Sequence, residues 1–220
     1  MEGPGEKAAA LRALLPEGVT LVAVSKFHPA DAVAAAYAGG QRVFGESRVA
    51  ELLEKQDALP RDISWHFIGH LQTNKVRRLI GRTSLIESVD STRLLDLIDS
   101  ESERAGVVTR VLLQVHVAAE ETKTGFAPDE LEAWFAAGAW HGLRATHLCG
   151  LMAMATNTDD TARVEADFAR VADLARRIRE ANPDLRGFDT LSMGMSGDYP
   201  LAIKHGATLV RVGTAIFGER

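Results

Sequence analysis

One cysteine, Cys149, is the only thiol in the 220-residue chain. A single thiol cannot close an internal disulfide, which removes the stapled extracellular scaffolds and fits a reducing, cytoplasmic setting. Its run, Leu148-Cys149-Gly150-Leu151, is apolar, so the thiol reads as a small buried hydrophobe. Long hydrophobic runs are missing too: none approaches the ~20 residues that span a bilayer, and no membrane role is expected. The start, Met1-Glu2-Gly3-Pro4-Gly5-Glu6, lacks the basic and apolar regions of a secretory signal. Positive charge is not in excess: the net charge is −5 and the arginines are scattered, which argues against nucleic acid as a partner. The densest basic run, Lys75-Val76-Arg77-Arg78, falls on a predicted helix and reads as a solvated face.

Several motifs of catalysis are also absent. There is no H-E-x-x-H, and one cysteine cannot build a structural zinc site. His66 and His70 are four apart, but Ile68-Gly69 between them reads as a strand end and turn, so no metal is expected. No glycine-rich dinucleotide fingerprint follows the first strand, and no G-x-S-x-G elbow occurs. Linkers, low-complexity tracts and internal repeats are missing, which gives one domain over 1–220.

What is present is alternation. Short apolar runs rich in branched residues read as strands at Thr20–Ser25, Arg42–Phe44, Ser64–Ile68, Ser84–Ser88, Arg110–Val117, Ala145–Met152, Asp189–Ser192 and Thr208–Val212. Their near-continuous apolarity suits strands covered on both faces, as in parallel sheets. Helical segments lie between. Pro29 suits a first helical position, and Gly39-Gly40 supplies the stop. Asp90-Ser91 caps a segment containing Leu94–Ile98. Over Thr161–Arg179 the residues Val164, Phe168, Val171, Leu174 and Ile178 form one apolar stripe, with Asp159-Asp160 ahead of it and Asn182-Pro183 ending it. Eight strand–helix units predict an α/β fold, a single (β/α)8 TIM barrel, with an extra N-terminal helix around Lys7–Leu15.

In such a barrel the chemistry sits where the strands end. Lys26 ends the first, after Leu21-Val22-Ala23-Val24-Ser25. An amine there loses water, which favours its neutral, nucleophilic form and suits a Schiff base with an aldehyde; a lysine that merely reaches solvent is the plainer alternative. After the seventh strand comes Ser192-Met193-Gly194-Met195-Ser196-Gly197-Asp198, and after the eighth Gly213-Thr214. These loops offer backbone N–H groups and hydroxyls of the kind that hold a phosphate, although glycine and serine also serve ordinary turns. Arg211 interrupts the apolar run Ala207–Val212, so it must meet a ligand or a carboxylate such as Glu46 or Glu87.

The strings Val22-Ala23-Val24-Ser25-Lys26, Phe44-Gly45-Glu46, Trp65-His66-Phe67-Ile68-Gly69, Leu191-Ser192-Met193-Gly194-Met195-Ser196 and Arg211-Val212-Gly213-Thr214-Ala215-Ile216-Phe217-Gly218 resemble the YggS/PROSC family of pyridoxal phosphate homeostasis proteins. Matching segments run almost end to end. The resemblance implies a barrel similar to the N-terminal domain of alanine racemase and the cofactor pyridoxal 5'-phosphate (PLP). It implies that Lys26 carries PLP as an internal aldimine, that Ser196, Gly213 and Thr214 take its phosphate with Ser192 nearby, and that Arg211 faces the pyridine nitrogen. Ser47 stands where the family usually has asparagine and keeps a hydroxyl of shorter reach; His70 and His116 replace a usual proline and asparagine.

An arginine facing the pyridine nitrogen only donates, so it keeps that nitrogen unprotonated and weakens the cofactor's electron sink. A racemase of this lineage also uses a tyrosine from an additional β-domain, for which this chain, with only Tyr37 and Tyr199, leaves no room. The expected role is PLP homeostasis without efficient turnover: reversible storage and delivery to apoenzymes. A PLP-dependent enzyme such as a weak amino-acid racemase is the alternative, and a cofactor-free scaffold a third. Lys123, after the fifth strand, is either a transient acceptor or a solvated loop lysine. An open mouth suggests a monomer.

Overall fold

The computed structural model describes residues 2–120 and 124–219. Its eight strands, β1 (Thr20–Val24), β2 (Val43–Glu46), β3 (Ser64–Phe67), β4 (Leu85–Val89), β5 (Thr109–Val115), β6 (Thr146–Ala153), β7 (Thr190–Ser192) and β8 (Leu209–Val212), pair in sequence order. All pairs are parallel, and β1 closes on β8 with Val22 opposite Arg211. The helices are α1 (Pro4–Leu14), α2 (Ala30–Ala38), α3 (Val49–Ala58), α4 (Val76–Leu79), α5 (Thr92–Ala105), α6 (Pro128–Ala136), α7 (Thr161–Ala181), α8 (Tyr199–Lys204) and α9 (Thr214–Phe217). This is the (β/α)8 barrel with a leading helix that the alternation predicts.

Local chemistry explains the element ends. Ser91 accepts the Leu94 N–H at 3.3 Å, and Asp160 accepts those of Ala162 and Arg163 at 3.0 and 3.3 Å, so each caps its helix. The first helix begins ahead of the predicted Lys7: Pro4 opens it, and the Glu6 carboxylate accepts the Gly3 N–H at 3.0 Å. Pro29 stands one place earlier than expected. Its ψ of 163° keeps it extended, so it caps α2 from outside and its carbonyl accepts the Ala32 N–H at 3.1 Å.

Strand alternation sorts the side chains into two cores. Leu21, Ala23, Phe44, Trp65, Ile86, Val111 and Val210 belong to the large cluster between barrel and helices. Val22, Leu85, Leu112, Cys149, Met152 and Leu209 form a small separate cluster, the apolar filling of the barrel itself. Cys149 is 1% exposed, as its sequence setting implies.

Candidate functional site

β1 points the way to the mouth. Val22 faces the barrel interior, and the two-residue alternation carries Val24 and then half-buried Lys26 to the same side. The next residue, Phe27, has φ of 68°, a left-handed conformation that costs a bulky side chain about 1–3 kcal/mol. Three contacts hold this turn. The Phe27 N–H donates to Glu51 Oε1 at 2.6 Å, the Arg48 guanidinium lies 4.4 Å over the Phe27 ring, and the His28 ring stacks on Phe217 of α9 at 5.1 Å. The lysine turn is therefore packed against the helix that follows β8.

The loops after β7 and β8 meet beside it. The Gly213 N–H donates to Ser196 Oγ at 3.3 Å, and the Arg211 N–H donates to the Gly194 carbonyl at 2.9 Å. A Cβ on Gly213 would stand 3.2 Å from the carbonyl oxygen of Val24, two residues before Lys26. Glycine thus lets β8 lie close against the end of β1. Ser196, Gly213 and exposed Thr214 sit together at the end of the barrel that carries Lys26.

Arg211 is 5% exposed, and its guanidinium is held inside the barrel. It donates to Ser192 Oγ and, at 2.9 Å, to the Ala153 carbonyl, and its Nη1 lies 3.8 Å from Glu87 Oε2. Of the two carboxylates the sequence offers, the partner is Glu87; Glu46 serves elsewhere. Ser192 also donates to Glu87 Oε2 at 2.6 Å, so its hydroxyl supports the arginine. His66 Nδ1 lies 2.7 Å from Glu87 Oε1 and completes a buried row, His66–Glu87–Ser192–Arg211. Burial pushes the Glu87 carboxyl up, but His66, the Arg211 charge and the Ser192 hydrogen bond outweigh it and hold it below its ordinary value. Burial pulls the Arg211 guanidinium below its ordinary value, against Glu87 and Asp198, yet a guanidinium keeps its charge in proteins.

Sequence reasoning passed over a second lysine. Lys55 of α3 is 5% exposed, with Nζ 2.6 Å from Glu46 Oε1, 2.8 Å from Glu51 Oε1 and 2.8 Å from the Ser25 carbonyl. Ser25 Oγ donates to the same Glu46 oxygen at 2.6 Å, while Glu46 Oε2 is buried with no hydrogen-bond partner among the described residues. Burial drives the Glu46 carboxyl above its ordinary value, against the hydrogen bonds from Lys55 and Ser25. The signal was readable: Val49, Leu52 and Lys55 are all buried at a spacing of three, so a lysine occupies the apolar stripe of its helix.

The other expected positions lie around the mouth. Ser47 is half-buried in the loop after β2, where Gly69 approaches so closely that a Cβ there would be 2.2 Å from the Ser47 carbonyl oxygen. Exposed His70 reaches Asp90 at 3.1 Å, and His116 Nε2 lies 3.0 Å from the Glu120 carbonyl. Lys123 lies outside the described residues. Among the described residues no cluster of histidine, cysteine and carboxylates could hold a metal, and no helix is long and apolar enough to cross a membrane.

A closed parallel barrel with a lysine ending its first strand and a hydroxyl–glycine junction after its seventh and eighth defines a class. The family model of the alanine racemase N-terminal domain matches residues 6–220. The pyridoxal phosphate homeostasis protein of Pseudomonas aeruginosa is 44% identical over 208 residues, covering 93% of this chain and 86% of that protein. PipY of Synechococcus elongatus, solved without PLP, superposes with a TM-score of 0.92 at 40% identity, covering 97% of this chain and 99% of PipY. Its form with PLP bound gives 0.89 at 39% identity over 98% and 100% of the two chains. Alanine racemase from E. faecalis shares the fold, with a TM-score of 0.74 at 18% identity over 99% of this chain and 58% of the racemase. The chain belongs to the pyridoxal phosphate homeostasis protein family, within the alanine racemase N-terminal domain group.

Proposed function

We propose that this protein binds PLP through a Schiff base on Lys26 and takes part in PLP homeostasis, storing the cofactor reversibly and delivering it to apoenzymes. The observation that carries the reading is the placement of the Ser196–Gly213 junction against Val24, two residues from Lys26. An amine and a set of phosphate donors then face one mouth. The donor set fits the cofactor's two reactive ends: an amine for the aldehyde, and Ser196 Oγ, the Gly213 backbone and Thr214 for the phosphate. Lys26 Nζ would supply the amine for the aldehyde, by a condensation that loses one water and reverses on taking it back, so loading and release would need no redox partner.

When bound, PLP supplies an electron sink whose strength depends on protonation of its pyridine nitrogen. Arg211 is the residue we assign to that nitrogen. Glu87, Ser192 and the Ala153 carbonyl fix its guanidinium, and the Glu87 carboxylate is already shared with His66. Such a site offers the nitrogen a donor and no carboxylate to hold a proton on it. Retention is favoured over turnover. Ser47 flanks the mouth as a further polar contact. The Pseudomonas aeruginosa relative carries the name of a homeostasis protein, which supports the same reading. We place this role in the cytoplasm, consistent with a single buried thiol, and expect a monomer that meets its clients transiently at the mouth.

The test is an absorbance titration with PLP followed by transfer to an apoenzyme. Lys26→Ala should abolish the near-visible band of the loaded protein, and the native protein should restore activity to an apoenzyme at a rate set by release. A retained band in Lys26→Ala would overturn the lysine assignment. Robust turnover of D- or L-amino acids would overturn the storage role in favour of a racemase.

A further inference from the structure

We infer that Glu51 and Lys55, an ion pair on the outer helix α3, are positioning residues that set the backbone of Lys26 from both sides. The inference rests on the reading of Lys26 as the PLP anchor. A side chain's direction at its root depends on the φ and ψ of its own residue, that is, on the two peptide planes flanking its Cα. The plane before Lys26 contains the Ser25 carbonyl, and the plane after it contains the Phe27 N–H. Lys55 Nζ donates to the Ser25 carbonyl at 2.8 Å, and Glu51 Oε1 accepts from the Phe27 N–H at 2.6 Å. The same two side chains bond to each other at 2.8 Å, one helical turn apart. One pair therefore grips both planes, and it also sustains the left-handed Phe27 that turns the chain immediately after the lysine.

The grip is anchored beneath. Lys55 also meets Glu46 Oε1 at 2.6 Å, and Ser25 Oγ bonds to that same oxygen. Glu46 is wholly buried, with its other oxygen unpartnered among the described residues, so Lys55 is the cation that compensates it. A lysine so committed is held in one place. Glu46, at the end of β2, and the Glu51–Lys55 pair thus act on Lys26 without facing the cofactor: Gly45 lies against Val22 and Ile68, so Glu46, its neighbour, points out toward α3.

Glu51→Ala removes the acceptor for Phe27, whereas Glu51→Gln keeps an oxygen there. Each is measured in PLP absorbance titrations, in the circular dichroism induced in the near-visible band, and in thermal melting of the PLP-free protein. Freeing the backbone of a residue or two predicts PLP binding by Glu51→Ala weakened about tenfold, with a smaller induced signal at saturation. Glu51→Gln should bind within about twofold of the parent, because its amide oxygen still accepts the N–H. Lys55→Met, which strips the donor from Ser25, should weaken binding at least as much; if it does not fold, the Glu51 pair decides. Native affinity and native induced dichroism in Glu51→Ala would overturn the proposal, as would equal losses in Glu51→Ala and Glu51→Gln. These variants keep Lys26, so failure of the anchor itself shows separately, as a band retained in Lys26→Ala.

Discussion

Glu87→Met is the sharpest perturbation of the barrel interior. Methionine is unbranched like glutamate, similar in length and only slightly larger, so packing is nearly preserved. What disappears is the carboxylate that balances Arg211, accepts from Ser192 and pairs with His66. Arg211 is 5% exposed, so its charge stays largely desolvated when Glu87 is removed. Breaking a buried pair from one side costs about 3–5 kcal/mol, because the remaining charge stays desolvated. For a domain of this length that lowers the melting temperature by about 10 °C. Arg211→Met should cost less, about 1–3 kcal/mol, since Glu87 keeps His66 and Ser192. The double variant should fall short of the summed losses by about 2 kcal/mol, because neither charge is then stranded. Calorimetric melting of the four proteins closes this cycle. The Glu87 contribution also has a pH signature. Its carboxyl lies below its ordinary value in the folded state, so the stabilisation is present above the unfolded carboxyl range and lost as pH falls through the folded value. The gap between parent and Glu87→Met should therefore narrow below about pH 4. A Glu87→Met protein melting within about 2 °C of the parent, or strict additivity in the double variant, would refute the reasoning.

Other outcomes follow from single contacts. Ser196→Ala should weaken PLP binding about tenfold while leaving that of phosphate-free pyridoxal unchanged, because hydrogen bonds to charged groups are worth about 1.5–3 kcal/mol; paired titrations check it. Gly69→Ala forces a Cβ to within 2.2 Å of the Ser47 carbonyl oxygen and should destabilise the fold by about 1–3 kcal/mol, measured by urea unfolding. Asp160→Ala strips two N–H groups of their cap at the start of α7 and should cost about 1 kcal/mol, whereas Asp160→Asn should recover most of it.

The eight strands were legible because each is covered on both faces and so reads as a short, mostly apolar run between polar segments. That Lys26, Ser196 and Gly213 share one end of the barrel was legible for a topological reason: in a parallel barrel the C-terminal ends of all strands lie on one rim. The partner of Arg211 was left open between Glu46 and Glu87, and strand parity decides it. Glu87 follows inward Leu85 by two residues, while Glu46 adjoins Gly45, which lies against Val22 inside. One residue of register separates the barrel interior from the helix layer. Lys55 and Glu51 escaped because their partners, the Ser25 carbonyl and the Phe27 N–H, are backbone atoms some 24 to 30 positions away. No side-chain pattern advertises a bond to a peptide group.

The barrel is sealed by its first and last strands, with Val22 beside Arg211 and Ala23 beside Val212. Lys26 and the Gly213-Thr214 loop are thus carried by segments far apart in the sequence and become neighbours only when that final seam forms. A nascent chain lacking β8 carries Lys26 but none of Arg211, Gly213 or Thr214. On the reading proposed above, a cofactor held by Lys26 and the loop after β8 would report a finished ring and clasp its seam, with a stabilisation that grows as the logarithm of the free cofactor.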